Sequence, residues 1–154
     1  MSENKEIEKF FEILGEMWRD ICLIEFLMRC AIAQENGDVK KFPQPPYTKG
    51  KVYEDYPESF AITSFEELVQ EYNSHFPEDE MPQIIIDLRH AMAHGMIAKI
   101  NGDKTDELTK FRPNKKDKTL IVEINTSLEI SKLEQVRKSL HVIRKIVQAK
   151  AADK

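Results

Sequence analysis

The first part of the chain carries a long apolar pattern with the period of an α-helix. Between Glu3 and Ala33, apolar residues recur every three or four positions and form one continuous apolar face. Asn36-Gly37-Asp38 then supplies turn-forming residues that end the pattern. We therefore predict a helix over 3–33. In a chain of 154 residues, a helix of this length spans a helical bundle, which favours an all-α fold.

Residues 36–62 interrupt the helical pattern. Four prolines exclude a helix there, and four lysines and three tyrosines are spread among them. We expect a long loop, either a crossover whose tyrosines pack locally or a segment that stacks unpaired bases on its aromatic rings. A second helix opens at Ser64, because Ser64 and Glu67 have the spacing of a capping box.

The last part of the chain predicts a hairpin and a helix. Residues 108–124 contain two β-rich runs that flank a lysine-rich turn. A final helix runs from about Ser127 or Ser131 to Lys150, and Ser131 and Glu134 have the spacing of a capping box. We predict one domain over residues 1–154, an all-α, up-down bundle of about four to five helices with one small β-hairpin before the last helix.

The segment Ile84–Gly95 sets an arginine and two histidines among apolar residues. Pro82 suits the first turn of a helix, so we expect a helix from 82 to about 98. A helix that is apolar on most sides belongs in the middle of a bundle. This helix therefore brings ionisable groups close to the core.

The ionisable groups of this helix occupy two faces. At about 100° per residue, Asp87, His90 and His94 share one narrow stripe, whereas Arg89 falls on the apolar side. An unpaired buried charge is very costly, so Arg89 either extends to solvent or faces a cleft that supplies an anion. This arginine is the sharpest anomaly in the sequence.

The segment Arg89-His90-Ala91-Met92-Ala93-His94-Gly95 resembles the motif of HEPN domains (higher eukaryotes and prokaryotes nucleotide-binding). In that motif an Arg is followed by a polar residue and, four to six positions on, by a His near the end of a helix. The resemblance implies a small helical bundle of the kind that includes metal-independent endoribonucleases of toxin and phage-defence systems. It further implies RNA as substrate, a homodimer with a composite active site, no cofactor, and an antitoxin protein as a further partner. Some such toxins carry a modified tyrosine two residues after the His. Met96 stands there in this chain, so that regulation is not implied.

The resemblance gives each residue of the motif a role. Arg89 would hold the phosphate and the charge that grows on it, and His94 would act as general base or acid. His90 would orient the substrate or supply a second proton-transfer group, with Asp87 as a supporting residue that fixes His90. The implied reaction is in-line attack by an RNA 2′-hydroxyl on the adjacent phosphate.

Charge is unevenly distributed along the chain. Residues 1–87 hold 8 Lys+Arg against 19 Asp+Glu, whereas residues 88–154 hold 15 against 8. The predicted RNA-binding residues lie at the hairpin tip: Lys110, Arg112, Lys115, Lys116 and Lys118. Such a cluster indicates a polyanionic partner, although a solvated turn has the same composition.

Two other interpretations of the motif helix stay open. Asp87, His90 and His94 are candidate metal ligands, although Asp87 and His94 lie about 10.5 Å apart along a helix. Alternatively, Arg89 pairs with an acidic residue, and the chain is a non-catalytic helical dimer or interaction module. The sequence contains no Walker-type glycine loop, CxxC, HExxH or GxSxG motif.

The remaining expectations concern the first helix and the compartment. Cys22 and Cys30 lie eight residues apart on one helix, too far to pair, and are expected to be core thiols of a reducing cytoplasm. Glu25 and Arg29 have the spacing of a surface ion pair. We find no secretory signal or membrane span and expect a cytoplasmic protein without membrane contact.

Overall fold

Helices account for more than half of the residues that the computed structural model describes, which are 3–99, 106–127 and 129–152. The α-helices are α1 (Glu3–Glu35), α2 (Phe65–His75), α3 (Gln83–His94) and α4 (Ile130–Ala151). A hairpin precedes α4. The predicted helical fold with a β-hairpin before the last helix is therefore confirmed.

Three strands form one antiparallel sheet in the order β1-β2-β3. They are β1 (Met96–Lys99), β2 (Asp106–Asn114) and β3 (Thr119–Ser127). Met96 pairs with Thr109, and Asn114 pairs with Thr119. The predicted hairpin is β2–β3, and β1 is an addition that the sequence did not predict.

The prediction that the motif helix continues to about residue 98 is wrong, because α3 ends at His94. Gly95 closes the helix by donating its N–H to the carbonyl of Ala91 at 2.7 Å. A Cβ at position 95 would collide with that carbonyl and lie 3.1 Å from the carbonyl of Thr109 on β2. Glycine therefore allows the chain to leave α3 and enter β1 directly.

The start of α4 also differs from both predicted positions. Its first residue is Ile130, and the carbonyl of Glu129 accepts hydrogen bonds from the N–H groups of Lys132 and Leu133. Ser127 ends β3, and Ser131 lies inside the helix, where its hydroxyl donates to Glu129 at 3.0 Å. Neither serine starts the helix.

The chain divides into two compact units, each built from separate segments. Unit 1 comprises residues 1–21 and 82–141, and unit 2 comprises residues 22–81 and 142–154. In unit 1, ion pairs from Lys9 to Glu134 at 2.8 Å and from Arg137 to Glu16 at 2.9 Å join α1 to α4. Its most deeply buried large apolar side chains are Ile13, Met17, Ile21, Ile85, Leu88, Leu133 and Leu140.

Unit 2 contains α2 and the long loop. Ser64 accepts a hydrogen bond from the N–H of Glu67 at 3.3 Å, so the predicted start of this helix is confirmed. The loop contains two short 3-10 turns, and two of its three tyrosines bond to its own backbone. Tyr53 donates to the carbonyl of Gln44 at 2.6 Å, and Tyr47 donates to that of Pro43 at 3.1 Å. The side chains of Tyr47 and Tyr56 are 69% and 50% exposed.

Arg29 makes the predicted ion pair with Glu25, but its side chain is mostly buried and also holds the long loop against α1. Its side chain is only 13% exposed and donates to the carbonyls of Ser59 at 2.6 Å and Ile62 at 2.7 Å. Ser59 returns a hydrogen bond to the carbonyl of Arg29 at 2.8 Å. The ion pair with Glu25, at 3.3 Å, completes this set of contacts.

Replacing Arg29 with alanine is expected to lower the free energy of unfolding by about 3 kcal/mol, because two half-buried carbonyls lose a charged donor. Denaturant unfolding measures the change. Lys132→Ala is the control, since Lys132 makes an exposed ion pair and its loss should cost less than about 1 kcal/mol. Equal losses in the two variants would contradict this role of Arg29.

The two cysteines differ in environment, and neither is in a disulfide within the part of the chain that the structure describes. Cys30 is buried, and burial raises its thiol pKa to about 11. Cys22 is exposed on α1, so the expectation of a core thiol holds for Cys30 and is wrong for Cys22. No helix within residues 3–99, 106–127 and 129–152 has an apolar stretch long enough to cross a bilayer.

Candidate functional site

The motif residues occupy the second half of α3 in unit 1. Asp87, Arg89 and His90 are half-buried, whereas His94 is exposed at the last position of the helix. Asp87 accepts a hydrogen bond from the amide of Gln83 one turn earlier, at 3.3 Å. The helix thus positions one imidazole at its open end and keeps the guanidinium close to the apolar face.

Arg89 and His94 point in different directions from α3. They are five positions apart, which corresponds to roughly 140° about the helix axis and roughly 7.5 Å along it. The angle and the rise follow from the regular helix that runs through the two positions. One copy of α3 therefore presents the two groups on different faces.

The hairpin brings an acidic residue, Glu123, beside Lys110. The register of β2 and β3 shifts between Lys110 and Phe111, so Glu123 is the extra residue of a β-bulge. Because a bulge redirects its side chain, the Glu123 carboxylate reaches the ammonium of Lys110 at 2.9 Å. Lys110 is therefore engaged in an ion pair and must exchange that partner before it can bind a phosphate.

Glu123 also marks the approach of α3 to the hairpin. The hydrogen bond from Lys110 lowers the pKa of the Glu123 carboxyl, and the charge of Lys110 acts in the same direction. Arg112 on β2 and His90 on α3 act electrostatically in the same direction. Since α3 also lies against β2, these groups occupy one region, and Glu123 is a member of it that the sequence analysis missed.

A side-chain network shapes the turn of the hairpin. The side-chain oxygen of Asn114 accepts hydrogen bonds from the N–H groups of Lys116 at 3.1 Å and Asp117 at 3.3 Å. Its amide donates to the carboxylate of Asp117 at 3.0 Å, and Lys118 adopts a left-handed conformation with φ of 50°. This turn holds Lys115, Lys116 and Lys118 exposed.

An open cavity of about 480 Å³ lies at the tip of the hairpin, and it is lined by Arg112, Pro113, Asn114, Lys115 and Ile121. Two cations and an amide line it, which suits an anionic group. The hairpin also exposes apolar side chains on Phe111, Leu120 and Val122, which the sequence analysis assigned only to a β-rich run. Aromatic side chains next to cations are typical of surfaces that hold single-stranded nucleic acid.

Asp87, His90 and His94 are the candidate metal ligands of the motif helix. Within the described residues, no three His, Cys, Asp or Glu side chains lie close enough together to hold one ion.

Searches of family models, curated proteins and solved structures found no match to this chain.

Proposed function

We propose that this protein is a metal-independent endoribonuclease of HEPN type, acting in the cytoplasm as a toxin or phage-defence effector. The observation that carries the proposal is the placement of an exposed histidine, His94, and a half-buried arginine, Arg89, on one helix, α3, which lies against strand β2 of the basic hairpin. The assignment to toxin or defence systems comes from the resemblance of the motif to those domains.

The proposed reaction needs a base, an acid and a cation at the phosphate. A histidine side chain can accept or donate a proton near neutral pH. In the proposed reaction it removes the proton of the RNA 2′-hydroxyl, whose oxygen then bonds to the adjacent phosphorus. The bond from phosphorus to the 5′-oxygen breaks, and an acid protonates the leaving oxygen. Arg89 stabilises the charge on the phosphate, because its planar guanidinium donates two parallel hydrogen bonds. His94 and His90 are the proton-transfer groups.

A second copy of the chain completes the proposed site. Since Arg89 and His94 diverge by roughly 140° around one helix, one copy does not direct both groups at a single phosphate. A two-fold dimer that brings two α3 helices together places Arg89 of one copy near His94 of the other. This is the composite site that the resemblance implies.

The basic hairpin is the proposed contact with the RNA backbone. Lys115, Lys116 and Lys118 are exposed on the turn between β2 and β3, and Arg112 is exposed on β2. Arg112 and Lys115 line the open cavity. Electrostatic contact with phosphates is independent of sequence, so this surface supplies affinity rather than specificity. An antitoxin protein that covers the same cations would block the RNA.

Mixing two inactive variants tests the composite site. When Arg89→Ala and His94→Ala copies are mixed, each mixed dimer has one site with both residues and one site with neither. Random exchange makes half of the dimers mixed, so about a quarter of wild-type cleavage should return. A labelled-RNA cleavage assay on the separate and mixed variants measures this recovery.

Two outcomes would contradict the proposal in different ways. If the wild type does not cleave RNA, the ribonuclease assignment fails, and a loss of stability in Arg89→Ala would then favour the non-catalytic dimer or interaction module. If the wild type cleaves RNA and mixing restores nothing, the two residues act within one copy. The double variant Arg89→Ala/His94→Ala, mixed with wild type, is the matched control for subunit exchange.

A further inference from the structure

Within unit 1, one side of α1 exposes a row of large apolar side chains. Ile7, Phe11 and Trp18 are 48%, 60% and 39% exposed, and Leu14 between them is half-buried. We call these four residues the α1 row. At about 100° per residue they fall within an arc of about 60°, so they form one straight stripe.

The spacing of the α1 row is that of a seam between two paired helices. Its members follow one another at intervals of four, three and four residues, which is the interval of the apolar positions in a heptad repeat. Contiguous exposed apolar side chains of this size mark interaction sites on soluble proteins. We propose that the α1 row is a contact between two copies of this chain, which pair antiparallel about a two-fold axis between Leu14 and Gly15.

Gly15 supports the close approach of a second helix. Glycine in the interior of a helix destabilises it relative to alanine, so its presence calls for a reason. Gly15 is exposed, and a Cβ built on it meets no atom within 4 Å among the described residues. Packing within the chain therefore does not require glycine, and the missing side chain leaves room for a second helix beside the α1 row.

The charges beside the α1 row favour the antiparallel arrangement. Glu8, Glu12 and Arg19 are exposed on the same flank of the row as Gly15. In an antiparallel pair, the equivalent flanks of the two helices meet in reverse order. Arg19 of one copy then lies between Glu8 and Glu12 of the second copy, and the symmetric contact repeats this pairing.

A parallel arrangement lacks this match. In a parallel pair, the flank of one helix meets the opposite flank of its neighbour, so the charged flank would face the side that carries Ile13 and Met17. Both of those side chains are buried in the core of unit 1. The distribution of charge on α1 therefore selects the antiparallel pair.

This contact goes beyond the proposed function, because the side chains and charges of α1 carry it and the motif residues of α3 do not. Association is measured without RNA, so a failure of the α1 contact and a failure of the ribonuclease assignment are distinguishable. The α1 row has only four side chains, fewer than a standard interface of about 800 Å² per partner, so we expect association at roughly micromolar concentrations.

Cysteine cross-linking tests the axis directly. In a Cys22→Ser background, two copies of Gly15→Cys lie about 1.5 Å apart along the axis and should form an intermolecular disulfide under mild oxidation. Glu8→Cys is the matched control on the same flank, because its two copies are about 20 Å apart along an antiparallel pair. Non-reducing gel electrophoresis measures both.

Three outcomes decide the inference. A covalent dimer from Gly15→Cys and none from Glu8→Cys supports it, whereas a covalent dimer from Glu8→Cys overturns it, because the antiparallel pair keeps those two thiols about 20 Å apart. If neither variant cross-links, sedimentation decides: self-association of the wild type that is not weakened by Trp18→Ala, or a monomer throughout, also overturns it. We expect Trp18→Ala to weaken self-association by about 30-fold or more, and Val142→Ala, outside the α1 row, to leave it unchanged.

Discussion

Replacing His94 or Arg89 with alanine is expected to reduce RNA cleavage by about 100- to 10,000-fold, the range for loss of a proton-transfer group or of a charged donor at the reacting phosphate. His94 is exposed and Arg89 half-buried at the edge of α3, so the midpoint of thermal unfolding should stay close to that of the wild type. Single-turnover cleavage of a labelled RNA, together with thermal unfolding, separates loss of rate from loss of fold.

Matched variants define what the motif contributes. His75→Ala removes a histidine of unit 2 whose ring bonds to Asn36 at 3.0 Å, and Arg137→Ala removes the partner of Glu16 in unit 1. Both should keep cleavage while losing some stability. Because groups that act together give non-additive losses, Arg89→Ala/His94→Ala should be little slower than either single variant. A multiplicative loss would contradict their joint action on one phosphate.

Removing one oxygen from the substrate is expected to abolish cleavage completely. The proposed nucleophile is the 2′-hydroxyl on the 5′ side of the cut, so a single 2′-deoxynucleotide there should leave that bond intact, and DNA should not be cut. The effect exceeds that of any protein variant, because the attacking atom itself is missing. The assay compares all-RNA with the singly substituted oligonucleotide.

An oligonucleotide of the same sequence, with the substitution moved by one position, is the control. A 2′-deoxynucleotide on the 3′ side of the cut leaves the nucleophile in place and should allow cleavage at close to the normal rate. Cleavage of the 5′-substituted RNA would indicate attack by water. The His94 and Arg89 roles would then have to be abandoned in favour of a hydrolytic mechanism.

Elements with a local signal were predictable from the sequence. The α1 periodicity extends over many turns, so its helix was predicted to within two residues of its end at Glu35. Ser64 and Glu67 fixed the start of α2, because a capping box is a contact between near neighbours in sequence. The hairpin was predicted for the same reason, since β2 and β3 are joined by a short turn.

The incorrect structural predictions concern residues whose conformation is determined by tertiary contacts. Residues 96–99 are apolar enough for a helix or a strand, and the choice of strand depends on pairing with β2 beyond an intervening segment. The partners of Arg29 are backbone carbonyls 30 and 33 residues away, which carry no sequence signal. A spacing of four residues could predict only the contact with Glu25.

The candidate site was only partly predictable for the same physical reason. Helical periodicity placed Asp87, His90 and His94 on one stripe from sequence alone. The grouping of His90 with the hairpin depends on a β-bulge, and a one-residue shift in register is not visible in the composition of β2 and β3. Glu123 could therefore be found only once the register was known.

The central claim is that this chain cleaves RNA with its own side chains and no metal ion. The most direct test is one end-labelled RNA incubated with the purified protein, with and without EDTA, followed by analysis of the product ends. We predict equal cleavage in both reactions, with a 2′,3′-cyclic phosphate on one product and a 5′-hydroxyl on the other. Activity that disappears in EDTA and returns with zinc or manganese would contradict this account and would make Asp87, His90 and His94 the first residues to test as metal ligands.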